Sequence, residues 1–507
     1  MRLLGSQKIE PVLVQPLVTE LPAADVLEAV DLLERLRAQP DRGGLALLES
    51  AGGGAELSSI RRTILLLRSL LRLEIRGNQV QVEPMVEAGE ALVKKLPSDL
   101  AFPGGSVAVL EDQERLRSPS VLDAMRLVAG LIQDRTPAPL PAGLFGAFSY
   151  ELVDQFEHLP PRPDDPLDEP DASFVLASDM LIEDHRKRSV FVVTRGLPWE
   201  SARGARDRHE RTLRLVRGAR RADISLPDAS VEPAPVEADV TDQRFLEMVR
   251  EFKRQIGAGE IFQGVLSRGL ETRSSADPLR VYRELRRRNP SPYMFYLELR
   301  EGVLLGASPE TFLRVEDGYA EIRPIAGTVA RGRHADGSVD PDLDGRLALS
   351  LQLDPKEQAE HAMLLDLARN DIARVSVPGT TEVLQQMAIE KFSHVQHLVS
   401  RVRGQVRPDL DALHVYRAAA NMGTLTGAPK VRAMELIREA ETTARGFYGG
   451  AAGYLLADGR FDSCIVIRSL RYERGVYYGR AGAGVVFDSD PERELLETEK
   501  KSLACRV

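Results

Sequence analysis

After residue 260, strand-like segments follow one another in runs, and this order constrains the fold more than any other feature of the chain. "EIFQGVLSRGLETR", "GVLLGAS", "YAEIRPI", "HVQHLVSRVRG", "AAGYLLA", "FDSCIVIRSLRYE" and "GVYYGRAGAGVVF" read as strands. Helical periods fall at 278–288, 356–374, 411–419, 429–439 and 491–503. Strands and helices do not alternate strictly. The pattern points to an α+β fold with a large, mostly antiparallel β-sheet structure layered with helices.

The clearest seam is "RADISLPDASVEPAPVEADVTD", rich in Pro, Ala and acidic residues and without period. It divides the chain into an amino-terminal region, 1–220, a linker, 221–241, and a carboxy-terminal region, 242–507. Thr241 or Asp242 is placed to cap a helix with Phe245, Met248, Val249, Phe252 and Ile256 on one face, stopped by Gly257 and Gly259. Before the seam, helices are expected over 23–39 and 119–134, strands near 44–49, 63–84 and 173–195, and an Arg-rich solvated helix over 202–221. The Pro-rich stretch 136–170 reads as ordered loop.

Composition excludes several classes. A net charge of -9 over 507 residues leaves no footprint for nucleic acid. Two cysteines, Cys464 and Cys505, rule out a disulfide framework and a Cys-rich metal site and point to a reducing compartment. The longest apolar stretch, "TILLLRSLLRLEI", is broken by Arg68 and Arg72, too soon for a bilayer span. "MRLLGSQKIEPV" lacks the marks of a signal peptide, so no membrane association and a cytoplasmic location are expected.

Two helices carry candidate chemistry. In "KEQAEHAMLLDLARNDIAR", Glu357, Glu360 and His361 are spaced to share one face. "ERELLETEKK" puts Glu494 and Glu497 on one face, with Lys501 four residues beyond Glu497. Carboxylate helices without a Cys or His cluster suit a hard cation such as magnesium, which takes one or two carboxylates and fills its octahedron with water and substrate oxygens. Solvated faces with salt bridges fit the same spacing.

Other segments leave two readings open. Gly482 and Gly484 in "RAGAGVVF" either let backbone N–H groups approach an anion or mark a β-bulge. "GTLTGAPK" lacks the Gly-Lys-Ser/Thr of a phosphate loop and reads as a loop entering a helix, with Pro429 at its first position. His397 in "HVQHLVS" reads as a structural histidine on pattern alone. Arg468, after apolar "CIVI", calls for an anion or a carboxylate. Neither cysteine has a nucleophile-like setting, so the chain is not expected to hydrolyse an amide by itself.

"GASPE", "PIAGT", "EHAMLLDLARND", "HLVSRVRG", "NMGTLTGAPKVRAM", "YGGAAGYL", "SCIVIRS", "AGAGVVFDS" and "ETEKK" occur in this order after residue 242. "LLES" at 47–50, "LFGAFSYE" at 144–151 and "NPSPYMFY" at 289–296 extend the set. In these segments the chain resembles the chorismate-utilising enzymes, and among them the anthranilate synthase component I family. The resemblance implies a Mg2+-dependent lyase that makes anthranilate and pyruvate from chorismate and ammonia. Glu360 and Glu497 match its metal-binding positions. Tyr448, Arg468, Lys501 and the backbone at Gly482, Ala483 and Gly484 match positions that hold the substrate carboxylates, with Gly327 and Thr328 beside the ring. Glu310 matches the acid that protonates the leaving hydroxyl, which requires a raised pKa. His397 and Thr424 match positions near the enolpyruvyl group, with His397 assigned to the elimination step as proton acceptor or positioner.

Ala326 discriminates within the family. Relatives that make aminodeoxychorismate, isochorismate or salicylate typically have lysine there, to attack the ring at C2 or to activate water. A methyl group can do neither, so the nucleophile must come from outside. The resemblance therefore implies a separate glutamine amidotransferase subunit that delivers ammonia, and hence a hetero-oligomer. It also implies feedback inhibition by tryptophan of a first committed biosynthetic step, at a site formed by Glu49, Ser50, Pro292, Tyr293, Met294 and Tyr454. The alternatives are an aminodeoxychorismate synthase component I, against which Ala326 and "GTLTGAPK" argue, and a catalytically silent regulatory subunit that binds chorismate or tryptophan. Intact Glu310, Glu360, His397 and Glu497 argue against the silent form.

Overall fold

The computed structural model of the chain describes residues 9–39, 43–51, 62–97, 100, 111–218, 235–392 and 395–503. Cys505 and most of the expected linker, 221–234, lie outside them. Val236–Ala238, at the end of the linker segment, form a short strand paired with Leu270–Thr272.

The sheet grows from one long antiparallel pair, Arg62–Arg76 with Ala172–Asp184. Both strands are almost wholly buried, which explains why "TILLLRSLLRLEI" can be apolar without spanning a membrane. Among the described residues no helix is long and apolar enough to cross one. Two arms of antiparallel strands extend from this pair. The first runs through Ala46–Glu49, Tyr293–Glu298, Val303–Ser308, Ser469–Glu473 and Val476–Val485 to Gln263–Arg273. The second runs through Gly143–Phe148, Ala451–Leu456, Phe461–Ile465, Thr311–Glu316 and Tyr319–Ile322 to Val395–Gln405. There Val395–Gln405 also pairs with Ile325–Ala330 and Glu382–Lys391. Each arm takes strands from both sides of residues 221–241, so hydrogen bonding joins the two regions.

Four helices begin at Asp-Pro or Thr caps. Asp277, Asp340 and Asp354 each accept backbone N–H groups ahead of a proline in the first helical turn, starting Pro278–Arg288, Pro341–Leu353 and Pro355–Val375. Thr241 caps Asp242–Gly257, whose Phe245, Met248, Val249 and Phe252 are buried as the period requires.

Several expectations are corrected. Stretch 136–170 is not all loop: "GLFGAF" is a fully buried strand, Gly143–Phe148, followed by a 3-10 turn. "YAEIRPI" is split at Pro324, which has no N–H for a ladder, into Tyr319–Ile322 and Ile325–Ala330. "FDSCIVIRSLRYE" is two strands, Phe461–Ile465 and Ser469–Glu473, because Arg468 turns the chain at φ +50°. The region 119–134 holds a shorter helix, Leu122–Ala129, and then a strand, Ile132–Asp134. Pro429 lies one residue before its helix, Lys430–Ala440.

Candidate active site

Two residues mark the places where the chain passes from one arm to the other. Glu310 lies between Val303–Ser308 of the first arm and Thr311–Glu316 of the second, and Arg468 between Phe461–Ile465 and Ser469–Glu473. The Glu310 backbone is held firmly: its N–H donates to Ser308 Oγ at 3.3 Å and its carbonyl accepts from Ile465 N at 3.1 Å. Burial raises its carboxyl to about 8, against the pull of the Thr424 hydroxyl and the Arg468 and Lys501 cations. Thr424 is close enough to exert that pull. Even so, neither Thr424 Oγ1 nor Glu310 Oε1 completes a hydrogen bond, and both atoms are buried. A buried acid with an unsatisfied oxygen next to a hydroxyl is equipped to receive a polar ligand.

His397 faces Thr328 across the ladder. Its Nδ1 lies 3.2 Å from the Gly327 carbonyl and 3.0 Å from Thr328 Oγ1. A carbonyl only accepts, so Nδ1 carries the proton and Nε2 keeps its lone pair. Burial lowers the imidazole to about 4, helped by Arg468, so the ring is neutral near pH 7. The ladder slips between Ala326 and Thr328, where Gly327 takes φ +70°. A Cβ on Gly327 would stand 2.8 Å from Glu357 Oε2 and from Leu351, so this corner needs glycine for conformation and room.

The glycine strand keeps an unbroken register, Ser267 opposite Gly482, Leu266 opposite Ala483 and Val265 opposite Gly484, which removes the bulge reading. A side chain on Gly482 would meet Tyr448 Oη at 3.0 Å, so Tyr448 lies over this strand. Lys501 Nζ donates to the Gly482 carbonyl at 2.9 Å and pairs with Glu497 at 2.7 Å, tying the last helix, Pro491–Leu503, to the strand.

The acidic faces of Pro355–Val375 and Pro491–Leu503 meet. Burial first, then neighbouring carboxylates, raise Glu357, Glu360 and Glu494; Glu360 feels Glu494, and Glu357 feels Glu497. His361 does not share this face: it is buried, with Nε2 2.6 Å from Ser400 Oγ, and packs the helix on the sheet. Among the described residues, no three or more His, Cys, Asp or Glu side chains converge as a metal cage. The candidate donors are all carboxylates, and such a set fits a hard cation that keeps most of its water.

Glu49, Ser50, Pro292, Tyr293, Met294 and Tyr454 all line one cavity between the two arms. Sequence reasoning missed its polar wall of Thr311, Arg314 and Asp462. Tyr293 Oη donates to Asp462 Oδ1 at 3.0 Å and accepts from Thr311 Oγ1 at 3.2 Å. Burial raises Asp462 to about 6. Glu49 turns partly away, accepting from Tyr282 Oη at 2.7 Å and pairing with Arg286 at 3.3 Å. A charge inside the apolar strand "FDSCI" was the signal for Asp462.

Residues 98–505 match the family of chorismate binding enzymes, and the chain belongs to that family. Its relatives include anthranilate synthase component 1 of Vibrio cholerae, 41% identical over 483 residues and 91% of each chain. The Escherichia coli K12 protein of the same name is 42% identical over 487 residues, 92% of this chain and 91% of that one. Among solved structures, anthranilate synthase component I of Streptococcus pneumoniae superimposes with a TM-score of 0.74 at 30% identity, covering 89% of this chain and 93% of that chain.

Proposed function

We propose that the protein is the chorismate-converting component of an anthranilate synthase, supplied with ammonia by a separate glutaminase subunit. One observation carries the reading: a carboxyl poised to stay protonated at neutral pH, Glu310, lies near Arg468, whose charge also reaches His397, and the adjoining strand offers only a methyl at Ala326. No amine of the chain stands at position 326 to attack the ring, so the small side chain leaves that place to ammonia.

Arg468, Tyr448 and the Gly482–Gly484 backbone hold the two substrate carboxylates, with Gly327 and Thr328 against the ring. Ammonia forms a bond to C2, the diene shifts, and the C4–O bond breaks. Glu310 gives its proton to that oxygen, which leaves as water. The product is aminodeoxyisochorismate. In the second stage the C2 proton is removed, the C3–O bond breaks, and the side chain leaves as the enolate of pyruvate, which takes up a proton at its methylene carbon, as the ring becomes aromatic. His397 Nε2, a free base at neutral pH, is the group suited to accept or place that proton. Glu360 and Glu497 would hold Mg2+, with Glu357 and Glu494 beside them; the ion supplies charge stabilisation at the ring carboxylate.

Incubation of the protein with chorismate, magnesium and an ammonium salt should give blue-fluorescent anthranilate and pyruvate in equal amounts, without glutamine or a partner. Accumulation of a non-fluorescent aminochorismate instead would assign the chain to the aminodeoxychorismate branch.

We also infer that the cavity between the arms binds tryptophan as a feedback inhibitor. It supports this reading that Thr311, whose hydroxyl bonds Tyr293 in the cavity wall, directly follows Glu310. A ligand that shifts Tyr293 would pull on the backbone of the acid. Binding is then reciprocal: tryptophan weakens chorismate and chorismate weakens tryptophan. Ser50→Phe should raise the tryptophan needed for half inhibition by at least about tenfold, the worth of one lost hydrogen bond, and spare the uninhibited rate. An unchanged half-inhibition concentration would refute the site.

A further inference from the structure

We propose that Asp344 is a positioning residue for the His397–Thr328 pair, clamping the end of the ladder on which both are carried. The proposal rests on the reading of His397 and Thr328 as lining the chorismate pocket.

Asp344, in the helix Pro341–Leu353, is 2% exposed, and its carboxylate accepts five hydrogen bonds from three separate segments. Its Oδ1 takes Arg331 Nε at 2.7 Å, the Gly332 backbone N at 2.9 Å and Gln396 Nε2 at 3.0 Å. Its Oδ2 takes Arg331 Nη2 at 3.0 Å and Lys391 Nζ at 2.9 Å. Gln396 Nε2 also reaches the Asp344 carbonyl, at 3.1 Å. The Arg331 fork, followed by Lys391 and Gly332, holds the carboxyl well below the usual carboxylate range.

These partners lie at the frayable end of the pair. The ladder between Ile325–Ala330 and Val395–Gln405 ends at Ala330 opposite Val395, two residues from His397. Strand ends open first. Arg331 follows the last residue of one strand, Gln396 adjoins His397 on the second, and Lys391 ends the third. Arg331 Nη1 also donates to the Phe392 carbonyl at 2.6 Å, and the Phe392 ring stands edge-on to His397 at 5.1 Å. One carboxylate thus fixes all three strands just beyond the catalytic pair. Gly332 fits the role, since a Cβ there would lie 2.2 Å from Asp344 N and would push the helix away.

The groups facing His397 are Gly327 and Thr328 on one strand, Phe392 on the other, and Arg468 from the crossover. Glu390, opposite His397 in register, is bonded to Arg323 at 2.8 Å. With the clamp removed, the ladder end opens, water reaches the imidazole, and its pKa climbs from about 4 toward the ordinary histidine value.

The test is Asp344→Asn, which keeps the size and loses the charge. The His397 ring is titrated by NMR in the substrate-free protein, its signals identified by their loss in His397→Gln. The titration should move up by one pH unit or more, and the acid limb of the kcat profile should move with it. At pH 7.5 kcat for chorismate should fall about 10- to 100-fold, as for a reacting group displaced by a fraction of an ångström to one ångström. A folded D344N with the wild-type His397 titration overturns the proposal, whatever its kcat. If D344N does not fold, Lys391→Met is judged by the same titration. The two readings fail separately: wild-type turnover in His397→Gln sinks the role of His397, whereas the titration alone judges Asp344.

Discussion

Glu310→Gln is expected to lower kcat for chorismate by about 10²- to 10⁴-fold, the usual worth of a general acid, with little change in KM. Glutamine keeps the volume and the hydrogen-bonding reach of the side chain but has no proton to give. The wild-type profile, measured at constant free ammonia, should fall as pH rises through about 8, where Glu310 ionises. That limb should vanish in the variant. Stability gives an independent check. A carboxyl raised from 4.5 to about 8 binds its proton more tightly in the folded state, so it lowers stability progressively as pH rises between those values. E310Q escapes this loss, and its melting temperature should gain on the wild type from pH 5 to pH 9. A variant with normal turnover would remove Glu310 from the chemistry.

Glu360→Gln and Glu497→Gln should each reduce turnover by at least about 10²-fold, as expected when several kcal/mol of charge stabilisation are lost. Residual activity should no longer respond to added magnesium. Activity is not the only readout: Mn2+ binding followed by electron paramagnetic resonance should weaken in both variants. In metal-free protein, Glu360→Gln should raise the melting temperature at pH 7, because the raised pKa of Glu360 marks a carboxylate that burial and its neighbours penalise when ionised. Unchanged Mn2+ binding in both variants would exclude these carboxylates as the cation site.

Local chemistry was legible in the sequence where one element carried it. Spacing alone put Glu357 with Glu360, and Glu494 with Glu497. Phe245, Met248, Val249 and Phe252 stood out by period and are buried. Pairing was not legible, because period-2 alternation says which side of a strand is buried but not which strand lies beside it. Nothing in "LALLES" names Tyr293–Glu298 as the neighbour of Ala46–Glu49. The helix Pro341–Leu353 was missed because it leaves Leu349 and Leu353 exposed and so lacks an apolar stripe; its Asp340-Pro341 start was the readable signal. His361 shares the spacing of the acidic face but lies on the turn that packs against the sheet. The raised pKa of Glu310 was required by its role, yet only the crossover between the arms supplies the burial that produces it.

The most direct measurement uses chorismate, magnesium and 15N-labelled ammonium salt with no glutamine, the ring nitrogen being located by NMR of the product. If ammonia attacks beside the Ala326 methyl, the label will be on the carbon next to the ring carboxylate of anthranilate, with one pyruvate released per ring. Label on the carbon para to that carboxylate, or an unlabelled hydroxylated ring, would contradict this.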